Sequence, residues 1–264
     1  MLNAFVINLD DHIEKRVKIS SLMTDTRVRV SFVKAVDGRI FNSEIMSLLD
    51  SSQALEVIGR DMGSREVACA LSHISCYKAL LKSKDEWCLI LEDDILFRQS
   101  ESASKLVNVI DSIISVIPQS ECGKVVLLGH HLTYDRNRDG VPSKRGHRAL
   151  IKHSSACNNS QLLSYFAERP SGGYAYLINR RAAQVRIKDF KSVNYPIDYW
   201  VPSRNFSIYG VFPPIFDFDK DSKSDISLDR GEEPSRGRAL IIRSIKVATL
   251  RILSKIKQKV CVYD

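Results

Sequence analysis

Four apolar runs of strand length are spaced along the first half of the chain, with helix-like stretches between them. They are "AFVINL" (4–9), "RVSFVKAV" (29–36), "WCLILEDD" (87–94) and "KVVLLG" (124–129). Between them, "DDHIEKRVKISSLM" has helical spacing, and residues 42–63 read as a polar helix and loop. In residues 65–83, Val67, Ala70, Leu71, Ile74, Tyr77, Leu80 and Leu81 fall on one helical face. Residues 102–117 form a further helix pattern, stopped by Pro118, and "GGYAYLINRRAAQ" (172–184) reads as a short strand running into a helix. Asp37-Gly38 is a turn signal, residues 130–160 look like a loop excursion, and the Pro, Asp, Ser and Gly content of 213–237 reads as a linker. Strands alternating with helices predict an α/β domain with a largely parallel sheet, whose ligands bind at the carboxyl ends of the strands.

Composition narrows the class. A chain of 264 residues, 44% hydrophobic and 27% charged, suits one sizeable globular domain. No apolar run approaches the ~20 residues of a membrane span, and the first residues show neither a basic n-region nor a cleavage site. The six cysteines form no CxxC pair, which is expected of reduced thiols in the cytosol. The net charge of +8 has one source: residues 236–260 carry eight cations and no acids. The rest of the chain balances at 31 basic against 31 acidic residues, so no nucleic-acid partner is expected.

The acids that end the third run carry the chemistry. A buried strand cannot hold Glu92, Asp93 and Asp94 in the core, because each lone buried charge costs several kcal/mol. Alternation sends Glu92 and Asp94 to one side and Asp93 to the other, and at a strand end two of them can converge. Converging carboxylates need a cation, and hard oxygen ligands suit Mg²⁺ or Mn²⁺ with a nucleotide's phosphates. A solvated acidic turn fits the same three residues. "DFDKDSKSDISL" (217–228) has acids at calcium-loop positions but lacks the required Gly and Glu, which excludes an EF-hand. His130-His131 have no third ligand at metal spacing and read as loop residues. GxSxG, GxxxxGK and GxGxxG are absent, which argues against a serine hydrolase, a P-loop NTPase or a Rossmann dehydrogenase.

"FVINLDDHIEKR", "AVDG", "EVACALSH", "LILEDDILF", "GGYAYLINRRAA" and "PIDYW" occur in the order found in glycosyltransferase family 25, which the chain resembles over roughly residues 4–230. The resemblance implies a GT-A fold over residues 1–235, a UDP-galactose donor, Mn²⁺ or Mg²⁺, and inversion at the anomeric carbon. It puts the metal on Asp94 and Asp93, with Glu92 at the donor. It brings Asn8, Leu9 and Asp10 to the nucleotide, although Asp10 also suits a helix cap. Asp37 and Gly38 meet the base or ribose, or form a plain turn. Ser72 and His73 face the substrate, or pack in mid-helix. Gly172 and Gly173 allow close approach to a ligand, or make a turn. Asp198 is the favoured general base, with Tyr199 and Trp200 as an acceptor platform; its alternative is helix capping. Ser224 and Asp225 are placed near the donor or metal. The chain departs from the family at Lys15-Arg16, where an arginine pair is usual, and at Arg65 and Ala68, which replace glycines.

The resulting expectation is an inverting, metal-dependent galactosyltransferase that extends a bacterial lipooligosaccharide or LPS glycan. A metal-dependent phosphotransferase or hydrolase using the same acids is one alternative. The other is a non-catalytic membrane-surface module. Residues 236–264, wound as a helix, oppose Ile241, Ile245, Ile252 and Ile256 to Arg243, Lys246, Arg251 and Lys255. That pattern suits an anionic membrane surface and a cytoplasmic protein peripheral to the inner membrane, or a helix packed on the domain.

Overall fold

The structure, a computed structural model, describes residues 1–40, 42–98, 102–118, 120–130, 141–142, 148–149, 151–156, 162–166, 170, 172–200 and 205–219. In chain order the elements are β1 (Asn3–Asn8), α1 (Ile13–Met23), β2 (Arg29–Lys34), α2 (Ser43–Met46), α3 (Ser51–Ile58), α4 (Ser64–Lys82), β3 (Trp87–Glu92), β4 (Ile95–Phe97) and α5 (Ser102–Val116). They continue as β5 (Gly123–Gly129), β6 (Val141–Pro142), β7 (Arg148–Ala149), β8 (Ile151–Ala156), β9 (Leu162–Phe166), β10 (Ala175–Asn179), α6 (Arg180–Asp189), β11 (Phe206–Phe212) and β12 (Phe216–Phe218).

Eight strands make one sheet in the order β2-β1-β3-β10-β5-β11-β9-β8. β1 pairs in parallel with β2 and β3, and β11 pairs in parallel with β5. β10 lies antiparallel between β3 and β5, and β9 lies antiparallel between β11 and β8. The sheet is therefore mixed but mostly one-directional, with β10 and β9 opposed to the rest. Two-residue alternation divides its side chains between two cores. Phe5, Ile7, Cys88, Ile90, Val125 and Leu127 pack with α4 and α6 residues such as Tyr77, Leu80 and Ala182. Ala4, Val6, Leu89, Leu91, Val126 and Leu128 pack with Ile19 and Met23 of α1 and Leu106, Ile110 and Ile113 of α5. Burial on both faces explains why these runs read as continuous hydrophobic stretches.

Local chemistry sets the helix ends. Asn42 caps α2 by accepting from the Glu44 and Ile45 amides, and Asp50 caps α3 by accepting from Gln53. Gly59, at φ 76°, ends α3 in the left-handed conformation. At α4, Glu66 accepts from the Gly63 amide at 3.2 Å and is clamped by Arg60 through two 2.7 Å bonds. Among the described residues no helix is long and apolar enough to cross a membrane. Cys69, Cys76, Cys88 and Cys122 are free thiols.

Three sequence expectations change. The 130–160 excursion contains strand segments, and β8 joins β9 as a hairpin at the sheet edge. Part of the expected linker, 216–218, is β12, which pairs with β4. Residues 206–212, which carried no assignment, form β11 beside β5. The segment 236–264 lies outside the described residues.

Candidate functional site

The carboxyl ends of β1, β2 and β3 and the amino end of β10 meet at one edge of the sheet. An open cleft there is lined by Asn8, Leu9, His12, Lys15, the 35–39 loop, Arg65, Cys69, Ser72, His73 and the three acids. Its floor is acidic and its walls include cations.

The three acids have different surroundings. Glu92 is held by its backbone, whose amide donates to the Tyr174 carbonyl at 2.8 Å. Asp93 is compensated: Asn8 Nδ2 donates to it at 2.8 Å, Lys15 Nζ at 3.0 Å, and His12 Nδ1 lies 3.5 Å away. Asn8 is buried and is itself fixed by Arg16 Nε at 3.0 Å. Asp94 is the exception, because its buried Oδ1 has no hydrogen-bond partner. Burial, and after it the neighbouring Glu92 charge, push its carboxyl up to about 7, against a smaller opposing pull from Lys15. A buried carboxylate oxygen without a donor, next to a second carboxylate, fits a hard divalent cation. Asp93 fits that role less well, since Asn8 and Lys15 already hold both of its oxygens.

The loop after β2 is pinned to α4. Ala35 N donates to Asn8 O at 3.0 Å, and Val36 N donates to Ser72 Oγ at 2.9 Å. Ser72 donates in turn to Ala68 O at 2.8 Å, so its hydroxyl is engaged in shaping the cleft wall. A Cβ on Gly38 would lie 2.6 Å from Arg65 Cα and 2.7 Å from Ser64 O, so only glycine allows this approach. Asp37 is bound bidentately by Arg39, and that hydrogen bonding lowers its carboxyl to about 2. Arg39 also reaches Asp11 at 2.8 Å. Asp10 does not line the cleft: it pairs with Lys34 at 2.5 Å, and α1 begins instead after His12.

The far side is built by β10. His73 is buried, with Nδ1 2.8 Å from the Tyr176 hydroxyl, which is 2.8 Å from the Tyr77 hydroxyl. Its Nε2 lies 3.5 Å from Glu92 Oε1. Gly172 sits at φ 108°, where a Cβ would come within 2.9 Å of His130 Cα. A Cβ on Gly173 would lie 3.1 Å from Asp198 Cβ, which places the exposed Asp198 directly beyond the start of β10. The Cys69 thiol registers this assembly. Burial chiefly, then the charges of Glu92, Asp198, Glu66 and Asp94, raise it well above its usual range. Asp198 therefore shares the electrostatic neighbourhood of the acids.

Trp200 corrects one expectation. It is fully buried, donates from Nε1 to Gly172 O at 2.6 Å, and stacks on the Arg186 guanidinium at 4.8 Å. Its ring supports the glycine pair and the core and presents no face to an acceptor. Tyr199 is half-buried beside Tyr195. His130 follows β5 as expected, outside the strand, but it is buried, with Nε2 2.9 Å from Val211 O. His131, Ser224 and Asp225 lie outside the described residues. Sequence reasoning missed His12 and Arg39 as cleft residues, although each stands within two positions of an acid it had singled out. It also missed Tyr176, which is hidden inside an apolar strand.

Asp94 gives a pH prediction for the metal-free protein. Its folded value of about 7 lies above the usual 3.8. The folded state thus keeps a proton that the unfolded chain releases, and stability falls as pH rises across that window. In chelator, Asp94→Asn should be more stable than wild type at pH 8, on the order of a few kcal/mol, and nearly equal to it below pH 4. Urea melts at the two pH values check this; a variant less stable at pH 8 would refute the uncompensated carboxylate.

The sequence matches the profile of "Glycosyltransferase family 25 (LPS biosynthesis protein)" over residues 1–201. It is 27% identical over 117 residues to procollagen galactosyltransferase 2 of Homo sapiens, covering 41% of this chain and 18% of that protein. It is 31% identical over 101 residues to the probable inactive glycosyltransferase 25 family member 3 of Rattus norvegicus, covering 36% of this chain and 18% of that protein. The matched regions thus span less than a fifth of these relatives. The family match covers most of the chain and includes every element that builds the cleft. The chain belongs to glycosyltransferase family 25.

Proposed function

We propose that this glycosyltransferase is a metal-dependent, inverting enzyme of GT-A type that moves galactose from UDP-galactose to a lipooligosaccharide or LPS glycan. The observation that carries the reading is the partnerless Asp94 oxygen beside Glu92, at the carboxyl end of β3, in a cleft walled by Lys15, Arg39 and Arg65. Family membership alone does not establish activity, since some similar proteins bear names that call them inactive. The donor sugar is suggested by the name of the human relative, and the glycan acceptor by the family description.

In this reading the cations receive the donor's phosphates and the 35–38 loop receives its nucleoside. Asp94, with Glu92 beside it, would hold Mn²⁺ or Mg²⁺, and Asp93 keeps the turn in place through Asn8 and Lys15. The ion would supply Lewis-acid stabilisation of the departing UDP. Asp198 takes the proton of the acceptor hydroxyl as that oxygen bonds to C1 of the sugar. The bond from C1 to the UDP oxygen breaks on the opposite face, leaving free UDP, an inverted glycoside and a protonated Asp198. Tyr199 borders the acceptor side.

Incubation with UDP-sugars and lipid-core acceptors, with Mn²⁺ or with EDTA, tests this directly. UDP release with a lengthened glycan is expected only with metal. Asp198→Asn should abolish transfer while UDP affinity stays within a few-fold, because the proton moves only in the transition state. If UDP binding collapses in that variant, Asp198 serves the donor and is not the base. UDP-sugar cleavage without glycan extension would favour the hydrolase alternative.

Residues 236–260 we assign to an anionic membrane surface, on their eight cations and no acids, which would hold the enzyme against the cytoplasmic face beside a lipid-linked acceptor. Deleting 238–264 should abolish co-sedimentation with anionic vesicles at low salt and leave activity on a soluble acceptor unchanged. A truncated protein that aggregates or melts much lower would show that this segment belongs to the core.

A further inference from the structure

Cys69 and His73 stand four residues apart on α4, so both side chains leave the same face of the helix. That face looks onto Glu92 at the end of β3. Sγ of Cys69, a ring nitrogen of His73 and a carboxylate oxygen of Glu92 all lie within 4.8 Å of one another. Ligands of a tetrahedral zinc ion sit about 3.3–3.8 Å apart. Side-chain shifts on the order of 1 Å would therefore close this set around an ion.

The histidine supplies the independent observation. Its ring is 1% exposed and its Nε2 has no hydrogen-bond partner. The other nitrogen is anchored by the Tyr176 hydroxyl, itself backed by Tyr77. When Nδ1 donates to that hydroxyl, Nε2 carries a bare lone pair facing the Glu92 carboxylate at 3.5 Å. In that tautomer two acceptors face each other, one of them on a buried ring, and a cation between them satisfies both. A histidine fixed from one nitrogen and open at the other is the arrangement metal ligands show.

We propose that Cys69, His73 and Glu92 form a site for a thiophilic divalent ion of the Zn²⁺ class, separate from the hard-cation position at Asp94. Thiolate and imidazole select zinc over magnesium or manganese, so the two positions differ in ligand chemistry although both adjoin Glu92. Binding displaces the Cys69 proton to solvent and forms the sulfur–metal bond in its place. Three protein ligands leave a fourth position, toward the cleft that these same residues line. An ion there draws on Glu92 and occupies the cleft floor, so zinc and donor exclude each other. This last consequence rests on the proposed transferase function; the site itself does not.

Cobalt(II) is the probe, because a cobalt–thiolate bond gives a near-ultraviolet charge-transfer band that carboxylate ligation lacks. Titration of the full chain under reducing conditions should produce this band, saturating at one equivalent, and Zn²⁺ should abolish it. Asp94→Asn should keep the band. Cys69→Ser should lose it, and Glu92→Gln should weaken cobalt binding at least about tenfold. A band that survives in Cys69→Ser would come from another cysteine and would overturn the proposal, as would the absence of any band in wild type. Calorimetry of UDP with Mn²⁺ should show affinity lowered by zinc in wild type but not in Cys69→Ser. If UDP never binds while the cobalt band is present, the transferase reading fails and the zinc site stands.

Discussion

The contact from Asn8 to Asp93, between the ends of β1 and β3, is the one on which the site depends. Three carboxylates close a strand that is buried on both faces, and their mutual repulsion would drive the turn apart without compensation. Asn8, Lys15 and His12 converge on Asp93, where Lys15 supplies the opposite charge and Asn8 a hydrogen bond. Arg16 in turn holds the Asn8 carbonyl oxygen, so the first turns of α1 are tied to the same point. Once Asp93 is settled, the turn is fixed and Asp94 can keep one buried carboxylate oxygen without a donor.

That arrangement costs stability at Asp94. A carboxyl raised to about 7 is a destabilised group in the metal-free fold. Glycines at 38 and 172 allow backbone to approach backbone, Ser72 ties the β2 loop to α4, and Trp200 braces Gly172 from below. These residues hold the walls, while Glu92 and Asp94 line the cleft and Asp198 stands beside Gly173. The division explains how residues that look alike in sequence, such as Asp93 and Asp94, do different work.

Much of this was legible before the structure. β1, β3, β5 and α4 show in the sequence because central strands must be apolar throughout and a long helix must show one apolar stripe. The motif order gave the family, and with it the edge of the sheet where the acids stand. The β8–β9 hairpin was not legible: "IKHSSA", at the sheet edge, contains no apolar run to mark it as a strand. Nor was the direction of β10, since an apolar run does not record which way it points. Trp200 was misread because an aromatic beside an acid looks the same whether it faces a sugar or an arginine in the core. Which of the three acids Asn8 would meet depended on the register of β1 with β3, and the sequence does not record that register.

The central claim is that the end of β3 holds a metal against a nucleotide diphosphate. The most direct measurement is diffraction from crystals grown with UDP and Mn²⁺, with the ion located by its anomalous scattering. The account predicts one manganese ion bound to the Asp94 carboxylate and to both UDP phosphates, with the nucleoside against the 35–38 loop. Ordered UDP in the cleft with no ion at Asp94, or a manganese ion elsewhere with UDP on another face of the sheet, would contradict it.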